Sequence, residues 1–238
     1  GQIIGEGAFG VVRVYKSNKE NKLYAVKTIP VTDSNNNEIL LLQEFNDHIF
    51  VNKCHYIITK HQHIHIVLDF EYGGDLFEIL QVQFNGMMGE TYAKFYVTEI
   101  ALALKYLHDN NIIFRDLKLE NILISGSGHV KLCDFGISCL LDEKRNTRSR
   151  NTICGTRSYL TPEMVNDTKY TNKVDIWCLG IILYELFFGD CPFDDDNMVT
   201  QFTNILLCKF NMKTTSATKQ FNAVIKCMLT HEKDRLDV

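Results

Sequence analysis

Two aspartates, a lysine and an asparagine lie close together near the middle of this 238-residue sequence. Asp116, Lys118 and Asn121 fall within one short stretch, and Asp134 follows in an Asp-Phe-Gly turn. The residues between them, 122–133, are typical of a strand, a turn and a second strand. Such a hairpin would bring both carboxylates to one edge. Carboxylate and amide oxygens suit hard cations such as Mg²⁺ bound to phosphates, so this stretch is the strongest candidate for chemistry.

A glycine-rich loop near the start of the chain is the second candidate. Gly5, Gly7 and Gly10 follow a short strand and precede the β-branched run 11–15. A dinucleotide-binding loop would have to open a helix, so the pattern instead predicts a strand-loop-strand hairpin. Its backbone N–H groups would be able to approach an anion closely. Taken alone, the loop fits an ordinary glycine-rich hairpin equally well.

Two charged residues after this hairpin are expected to reach the same place. The strand 23–29 puts Ala25 and Lys27 on one face because side chains alternate along a strand. Lys27 then becomes a candidate phosphate ligand. A short helix follows, and its Glu38 is the acid expected to meet Lys27. Glu44 is the competitor, and a surface salt bridge is the alternative for either acid.

The rest of the chain predicts strands first and helices later. Two strands are expected within 56–70, on either side of a turn near residue 61, and Tyr72-Gly73-Gly74 marks a joint near 69–74. The polar segment 142–151 has no periodicity and predicts a mobile surface loop. Helices are predicted over 75–83, 90–109, 175–188, 197–208 and 220–230.

Composition and charge argue against several classes of protein. A hydrophobic fraction of 45% supports a folded core rather than disorder. The net charge of −4 gives no reason to expect nucleic acid or an anionic membrane as a partner. The apolar runs are too short to insert into a bilayer, and no signal peptide is visible. We therefore expect an intracellular protein, cytoplasmic with the nucleus also possible.

The cysteines and histidines offer weaker alternatives. Eight scattered cysteines, with no C-x-x-C pair, predict reduced thiols rather than a disulfide framework. His61, His63 and His65 alternate, but no cysteine or carboxylate is spaced to complete a zinc site. The abrupt start in an apolar strand predicts a domain cut from a longer protein.

Six motifs in a fixed order resemble those of the eukaryotic protein kinase catalytic domain. They are Gly5-x-Gly7-x-x-Gly10-x-Val12, Tyr24-Ala25-Val26-Lys27, Arg115-Asp116-Leu117-Lys118-x-x-Asn121, Asp134-Phe135-Gly136, Thr161-Pro162-Glu163 and Asp175-Ile176-Trp177-x-x-Gly180. The resemblance implies an α+β, bilobal fold forming a single kinase domain over 1–238. Its small antiparallel β-rich N-lobe would span about 1–68, its hinge about 69–74 and its larger, mainly helical C-lobe about 75–238. Because Arg235 resembles the arginine that pairs with Glu163, the last family helix is expected to be missing.

The resemblance also implies a site for ATP and Mg²⁺. Asp116 would accept the substrate hydroxyl proton, Lys118 would steady the γ-phosphoryl group, and Lys27 would hold the α- and β-phosphates while pairing with Glu38. Asn121 and Asp134 would bind Mg²⁺. The residues expected to contact the nucleotide are Ile4, Gly5, Glu6, Gly7, Ala8, Phe9, Gly10, Val12, Ala25, Lys27, Asp69, Glu71 and Leu123.

The residues within the motifs indicate which subgroup of the family this sequence resembles. Lys118, two residues after Asp116, is the serine/threonine-kinase pattern, and several segments are similar to the AGC group of basophilic kinases, ribosomal S6 kinase in particular. Protein substrates with Ser or Thr acceptors are implied, with upstream basic residues contacting Asp75 and Glu120. Thr152 stands at the activation-loop phosphosite. An upstream kinase would phosphorylate it, and the phosphate would pair with Arg115; an unmodified loop threonine is the alternative.

Four departures from the family pattern qualify these expectations. Phe114 replaces the usual His or Tyr, so stacking against Phe135 survives while a hydrogen bond is lost. Arg157-Ser158 replaces Pro-Glu in the loop expected to touch the residue after the phosphoacceptor, and Thr161 for Ala is mild. The spacing from Lys27 to Glu38 is short, which suggests a trimmed or mobile helix. A pseudokinase scaffold is the alternative function, although Lys27, Asp116, Asn121 and Asp134 are all present.

Overall fold

The computed structural model describes residues 1–7, 10–32, 36–45, 47–140, 157–212 and 217–237 of the chain. The first part of the described chain forms an antiparallel five-stranded sheet with one helix, and helices dominate the remainder. The α+β, bilobal architecture predicted from the sequence is therefore confirmed. Ala8, Phe9, Thr152 and the polar segment 142–151 lie outside the described residues.

The sheet runs in the order β1-β2-β3-β5-β4. Its strands are β1 Gln2–Gly7, β2 Gly10–Lys16, β3 Leu23–Pro30, β4 Cys54–Lys60 and β5 His63–Asp69. The alternation in β3 buries Ala25, Lys27 and Ile29 on one face. Register places Val12 of β2 opposite Lys27, so the glycine hairpin and the lysine share one part of the sheet, as the sequence predicted.

The predicted helices and hairpin follow in the expected order, and the structure adds one short α-helix and two short strands that the sequence did not predict. The helices are α1 Asn36–Glu44, α2 Leu76–Phe84, α3 Glu90–Asp109, α4 Pro162–Val165, α5 Lys173–Phe188, α6 Met198–Leu206 and α7 Lys219–Met228. The short strands are β6 Ile112–Ile113, β7 Ile122–Ile124, β8 Val130–Leu132 and β9 Cys139–Leu140. Strands β7 and β8 form the predicted hairpin, and β6 pairs with β9.

Helix α5 lies at the centre of the helical part. Nearly all of its residues are buried, as expected for a segment that is apolar on every side. Its Trp177 stacks on Phe193 with the ring centroids 5.0 Å apart. On another side of Trp177 lies the guanidinium of Arg235, which forms two hydrogen bonds with the buried Glu163 at 2.6 and 3.1 Å. The predicted pairing of Arg235 with Glu163 is therefore present.

The chain connection and backbone hydrogen bonds join the sheet-containing part to the helical part at two places. The covalent connection runs from β5 to α2, and Gly73 and Gly74 exchange backbone hydrogen bonds with Ile124, both of 2.9 Å. The second junction is formed by Leu132. Leu132 donates to the carbonyl of Phe50 and accepts from the N–H of Asn52, each at 2.8 Å.

Two minor sequence expectations can be compared with the described residues. None of the seven described cysteines forms a disulfide bond with another of them. His61 lies in the turn between β4 and β5, so only His63 and His65 belong to the strand. In the ranges given above, no helix combines the length and apolarity needed to cross a membrane.

Candidate active site

The loop before Asp116 is shaped by an aspartate on a distant helix. Asp175, in the first turn of α5, is fully buried and accepts hydrogen bonds from the backbone N–H groups of Phe114 at 2.9 Å and Arg115 at 2.8 Å. His108 of α3 contacts the same carboxylate at 2.9 Å. Arg115 has a φ of +68°, a left-handed conformation that costs roughly 1–2 kcal/mol for such a residue. The contacts with Asp175 hold the loop in that conformation.

Asp116 is held from two sides. The side-chain amide of Asn121 donates to both the carbonyl oxygen and Oδ2 of Asp116, each at 2.8 Å. Lys118 Nζ lies 3.2 Å from the same Oδ2. Because Nδ2 of Asn121 makes these two hydrogen bonds, Oδ1 is the side-chain atom of Asn121 that could bind a metal ion. The carboxylate therefore has a fixed orientation with a cation beside it.

A second charged cluster brings three predicted residues together. Lys27 Nζ lies 2.6 Å from Glu38 Oε1 and 2.9 Å from Asp134 Oδ1. Burial lowers the pKa of Lys27, but the charges of Asp134 and Glu38 outweigh it and raise the pKa overall. Burial raises the pKa of Glu38, and the nearby ammonium offsets this only partly. Two carboxylates share one ammonium, so the cluster keeps a net negative charge that suits a further cation.

The aromatic ring of Phe114 packs against the Asp-Phe-Gly turn. Phe114 and Phe135 meet edge to face, with centroids 5.2 Å apart and planes at 87°. Both rings are buried. The contact with Phe135 expected from the sequence is present, although the rings meet edge to face and are not stacked. Phe114 makes this contact without a polar atom.

A cavity of about 490 Å³ lies between the sheet and the helical part. It brings together most residues proposed from the sequence, although Asp116, Lys118, Glu6, Gly7 and Gly10 are not among its lining residues. The backbone, rather than a contact with the cavity, requires glycine at position 10. Its φ is +138°, and a Cβ at this position would lie 2.3 Å from the carbonyl oxygen of Thr28. The proposed residues that line the cavity are Ile4, Gly5, Val12, Ala25, Lys27, Glu38, Asp69, Glu71, Asp75, Glu120, Asn121, Leu123 and Asp134.

The two proposed residues at the end of β5 differ in environment. The carboxylate of Asp69 contacts Lys22 at 2.6 Å and His55 at 2.9 Å. Burial alone would raise the pKa of Asp69, but the contacts with Lys22 and His55 outweigh it and lower the pKa overall. Its side chain is therefore already engaged. Its backbone N–H donates to Lys53 at 3.0 Å, and its carbonyl oxygen accepts from Nδ2 of Asn52 at 3.4 Å. Burial raises the pKa of Glu71.

Comparison with known families identifies this arrangement. A family described as "Protein kinase domain" matches residues 1–236. The chain belongs to the protein kinase domain family. Serine/threonine-protein kinase Sgk1 of Xenopus tropicalis is 39% identical over 213 residues, which cover 86% of this chain and 50% of that protein.

Two further relatives agree. Serine/threonine-protein kinase Sgk3 of Mus musculus is 35% identical across 99% of this chain and 48% of its own length. Serine/threonine-protein kinase gad8 of Schizosaccharomyces pombe is 37% identical across 86% of this chain and 37% of its own length. The kinase domain thus spans about half or less of these relatives. They support the AGC-group resemblance, while the finer likeness to ribosomal S6 kinase stays a prediction.

Several residues of the kinase domain near the site were missed by sequence reasoning. Cys133 lines the cavity, and its position directly before Asp134 was the available signal. Asn52 also lines it, but no local pattern marks it. Glu185 of α5 accepts a 2.6 Å hydrogen bond from the hydroxyl of Tyr159. Burial raises the pKa of Glu185, and the nearby charge of Glu120 adds to this effect.

Of the proposed regulatory pair, Thr152 and Arg115, the structure describes only Arg115. Thr152 lies outside the described residues, so its contact with Arg115 stays a prediction. The guanidinium of Arg115 donates through Nε to the carbonyl of Ile137 and lies 3.3 Å from the hydroxyl of Tyr170. In the loop predicted to contact the substrate, Arg157 is exposed and Ser158 donates to Asp194.

Proposed function

We propose that this kinase domain transfers the γ-phosphate of ATP, with Mg²⁺, to Ser or Thr hydroxyls of protein substrates. The observation that carries the proposal is the carboxylate of Asp116, which Asn121 orients and Lys118 flanks. Names of the relatives support serine/threonine kinase activity. In this proposal the chain acts as one domain with its hinge at about 69–74.

The residues around the cavity fit a nucleotide. Its apolar lining residues include Ile4, Val12, Ala25 and Leu123, and such side chains suit the flat faces of a base. Lys27 is the buried cation at the charged end, where it would bind phosphate oxygens. Base and phosphates therefore have separate, chemically matched surfaces in one cavity.

A magnesium ion fits the oxygen donors beside this lysine. Asp134 offers a carboxylate and Asn121 a free amide oxygen, and both residues line the cavity. When bound, Mg²⁺ supplies charge neutralisation for phosphate oxygens. The net negative charge shared by Lys27, Glu38 and Asp134 favours such a cation electrostatically.

Asp116 would orient the substrate hydroxyl and accept its proton. Lys118, 3.2 Å from that carboxylate, would offset the negative charge that develops during transfer. Since little covalent chemistry is required of the protein, most of the rate would come from positioning and from charge neutralisation.

The substrates would carry basic residues near the acceptor. Asp75 and Glu120 both line the cavity, and Glu185 adds a third carboxylate whose charge interacts with Glu120. Acids grouped in this way favour Arg or Lys on a peptide. An upstream kinase would activate the domain through Thr152 and Arg115. Because the reaction uses ATP, we place it inside the cell, in the cytoplasm with the nucleus possible.

Phosphate transfer to an arginine-containing peptide tests the proposal. Asp116→Asn keeps the shape of the side chain, so we expect nucleotide binding to persist while turnover falls at least about 100-fold. Asp109→Asn is the matched control, because Asp109 is exposed and, among the described residues, pairs with Lys105 of the same helix. Equal turnover by wild type and Asp116→Asn would remove the assignment. Nucleotide binding without any transfer by the phosphorylated wild type would instead indicate a scaffold.

A further inference from the structure

The 3-10 turn Arg157–Tyr159 is anchored to the central helix α5. The hydroxyl of Tyr159 donates to Glu185 at 2.6 Å, and the thiol of Cys178 donates to the carbonyl oxygen of Tyr159 at 3.5 Å. Both partners belong to α5, so the turn keeps one position on the surface of that helix. The side chain of the first residue of the turn is therefore attached to a fixed backbone.

The turn lies beside the proposed catalytic residues. Asp175 of α5 holds the loop that carries Asp116, and Cys178 follows Asp175 by three residues, which places both on one face of the helix. Burial raises the pKa of Cys178, and the charges of Asp175 and Asp116 add to this effect. The turn and the loop of Asp116 are therefore close enough to contact one bound peptide.

Arg157 is an unpaired cation in this turn. Its side chain is exposed, and within the ranges that the structure describes its guanidinium makes no hydrogen bond or ion pair. Asp194, an acid that contacts the turn, instead accepts from Ser158 and, at 3.4 Å, from Gln201. The charge of Arg157 is thus available to an anion on a bound molecule.

The charge of the turn departs from the family pattern. Arg157 and Ser158 stand where the family has proline and glutamate, so one positive charge is gained and one negative charge is lost. The acids proposed to bind basic residues of the substrate, Asp75 and Glu120, line the cavity. A peptide that extends across the site would therefore meet acids in one part and an unpaired arginine in another.

We propose that Arg157 selects protein substrates with Asp or Glu immediately after the Ser or Thr acceptor. This inference rests on the proposed function and adds a second charged feature to its substrates. The sequence places Arg157 in the loop expected to touch the residue after the acceptor. The planar guanidinium offers N–H donors that match both oxygens of a carboxylate, which favours a carboxylate over an amide at this position. Basic residues before the acceptor and an acidic residue after it would then bind different parts of one surface.

The experiment compares three peptides that share their upstream arginines and carry Asp, Asn or Lys directly after the acceptor. Phosphate transfer gives kcat/KM for the full 238-residue chain, and fluorescence anisotropy with a non-hydrolysable ATP analogue gives peptide affinity. We expect wild type to favour Asp over Asn about threefold, the size of one solvent-exposed ion pair, and to use Lys least. The ratio should fall towards one in Arg157→Gln, and Arg157→Glu should favour Lys over Asp.

Lys226→Gln is the matched control, because it removes one positive charge from an exposed position on α7. It should leave every peptide ratio unchanged, and urea unfolding verifies that each variant is folded. Equal Asp-to-Asn ratios in wild type and both Arg157 variants would overturn the inference, as would an equal loss of preference in Lys226→Gln. A wild type that transfers phosphate to none of the peptides would contradict the proposed function, and the anisotropy ratios would then still decide whether Arg157 selects the acid.

Discussion

Asp175 Oδ1 accepts a hydrogen bond from the backbone N–H of Arg115 at 2.8 Å, and this contact ties helix α5 to the loop that carries Asp116. The partner oxygen, Oδ2, accepts from Phe114 at 2.9 Å. One buried carboxylate therefore supports two consecutive N–H groups, the second of them in a left-handed residue. The position of the proposed catalytic aspartate depends on a residue that does not touch it.

Asp175→Asn should weaken both folding and transfer. An amide offers one oxygen, so one buried N–H group loses its acceptor, which we expect to cost about 2–3 kcal/mol of unfolding free energy. Turnover should fall more than nucleotide affinity, because the loop moves while the cavity remains. Urea unfolding and steady-state kinetics measure the two effects. Asp167→Asn, at an exposed position, is the control, and equal behaviour of the two variants would contradict this role.

Lys27→Met should be more harmful than Glu38→Gln. The first change leaves two carboxylates without their shared ammonium, and we expect turnover to fall at least about 100-fold. The second leaves Lys27 its contact with Asp134, so a loss of about tenfold is expected. Transfer rates over a range of ATP concentrations distinguish them. Lys105→Met, on exposed α3 surface, should retain wild-type rates; a larger loss for Glu38→Gln than for Lys27→Met would reverse the assignment.

Asp75→Asn and Glu120→Gln should each reduce the preference for basic peptides. Asp75 also caps α2 by accepting from the N–H of Glu78 at 2.8 Å, and asparagine preserves such a cap. We expect kcat/KM for an arginine peptide to fall about tenfold, with little change for a peptide whose arginine is replaced by alanine. Glu44→Gln, exposed on α1, is the control. Parallel losses on both peptides would argue against charge recognition.

Arg235→Met should destabilise the helical part strongly. The guanidinium contacts Glu163, and its loss would strand a buried carboxylate, for which about 3–5 kcal/mol is typical. The double variant with Glu163→Gln should recover part of that loss, because the unpaired charge is gone. Urea unfolding of the single and double variants tests this. If the double variant is less stable than Arg235→Met, the stranded charge is not the cause.

Stability should fall as pH rises past 9.0, the ordinary pKa of a cysteine thiol. Burial raises the pKa of Cys54 to about 11, so above pH 9.0 the unfolded chain releases this proton while the folded chain retains it. The free energy of unfolding then decreases by up to about 1.4 kcal/mol per pH unit for this group. Cys54→Ala should flatten the decline measured by urea unfolding, whereas Cys227→Ala, at an exposed cysteine, should not. Identical slopes in both variants would exclude Cys54 as a source.

Elements with a repeating pattern were predictable, and contacts between distant segments were less so. Helix α3 was expected over 90–109 and is found at Glu90–Asp109, because its apolar residues recur with helical spacing. The pairing of Glu38 with Lys27 was also expected, and the short spacing between them does not prevent it. The two-residue strands β6 and β9 are too short to show any periodicity.

The missed site residues share a physical cause. Asn52 reaches the cavity only because Leu132, far along the chain, binds its backbone. The carboxylate of Glu185 is oriented by Tyr159, which lies 26 residues away in the sequence. The left-handed backbone of Arg115 likewise depends on Asp175. In each case the decisive partner is remote in sequence and leaves no local pattern to detect.

The two junctions between the sheet and the helices restrict how the cavity opens. One is the chain itself near Gly73, and the other is the hydrogen-bonded pairing of Leu132 with Phe50 and Asn52. A body attached at two separated points turns about the line through them rather than sliding freely. The front edge of the sheet, which carries the glycine hairpin, lies off that line and would swing widely. Asn52 lies on it, so the cavity wall at Asn52 would be almost unaffected by opening and closing.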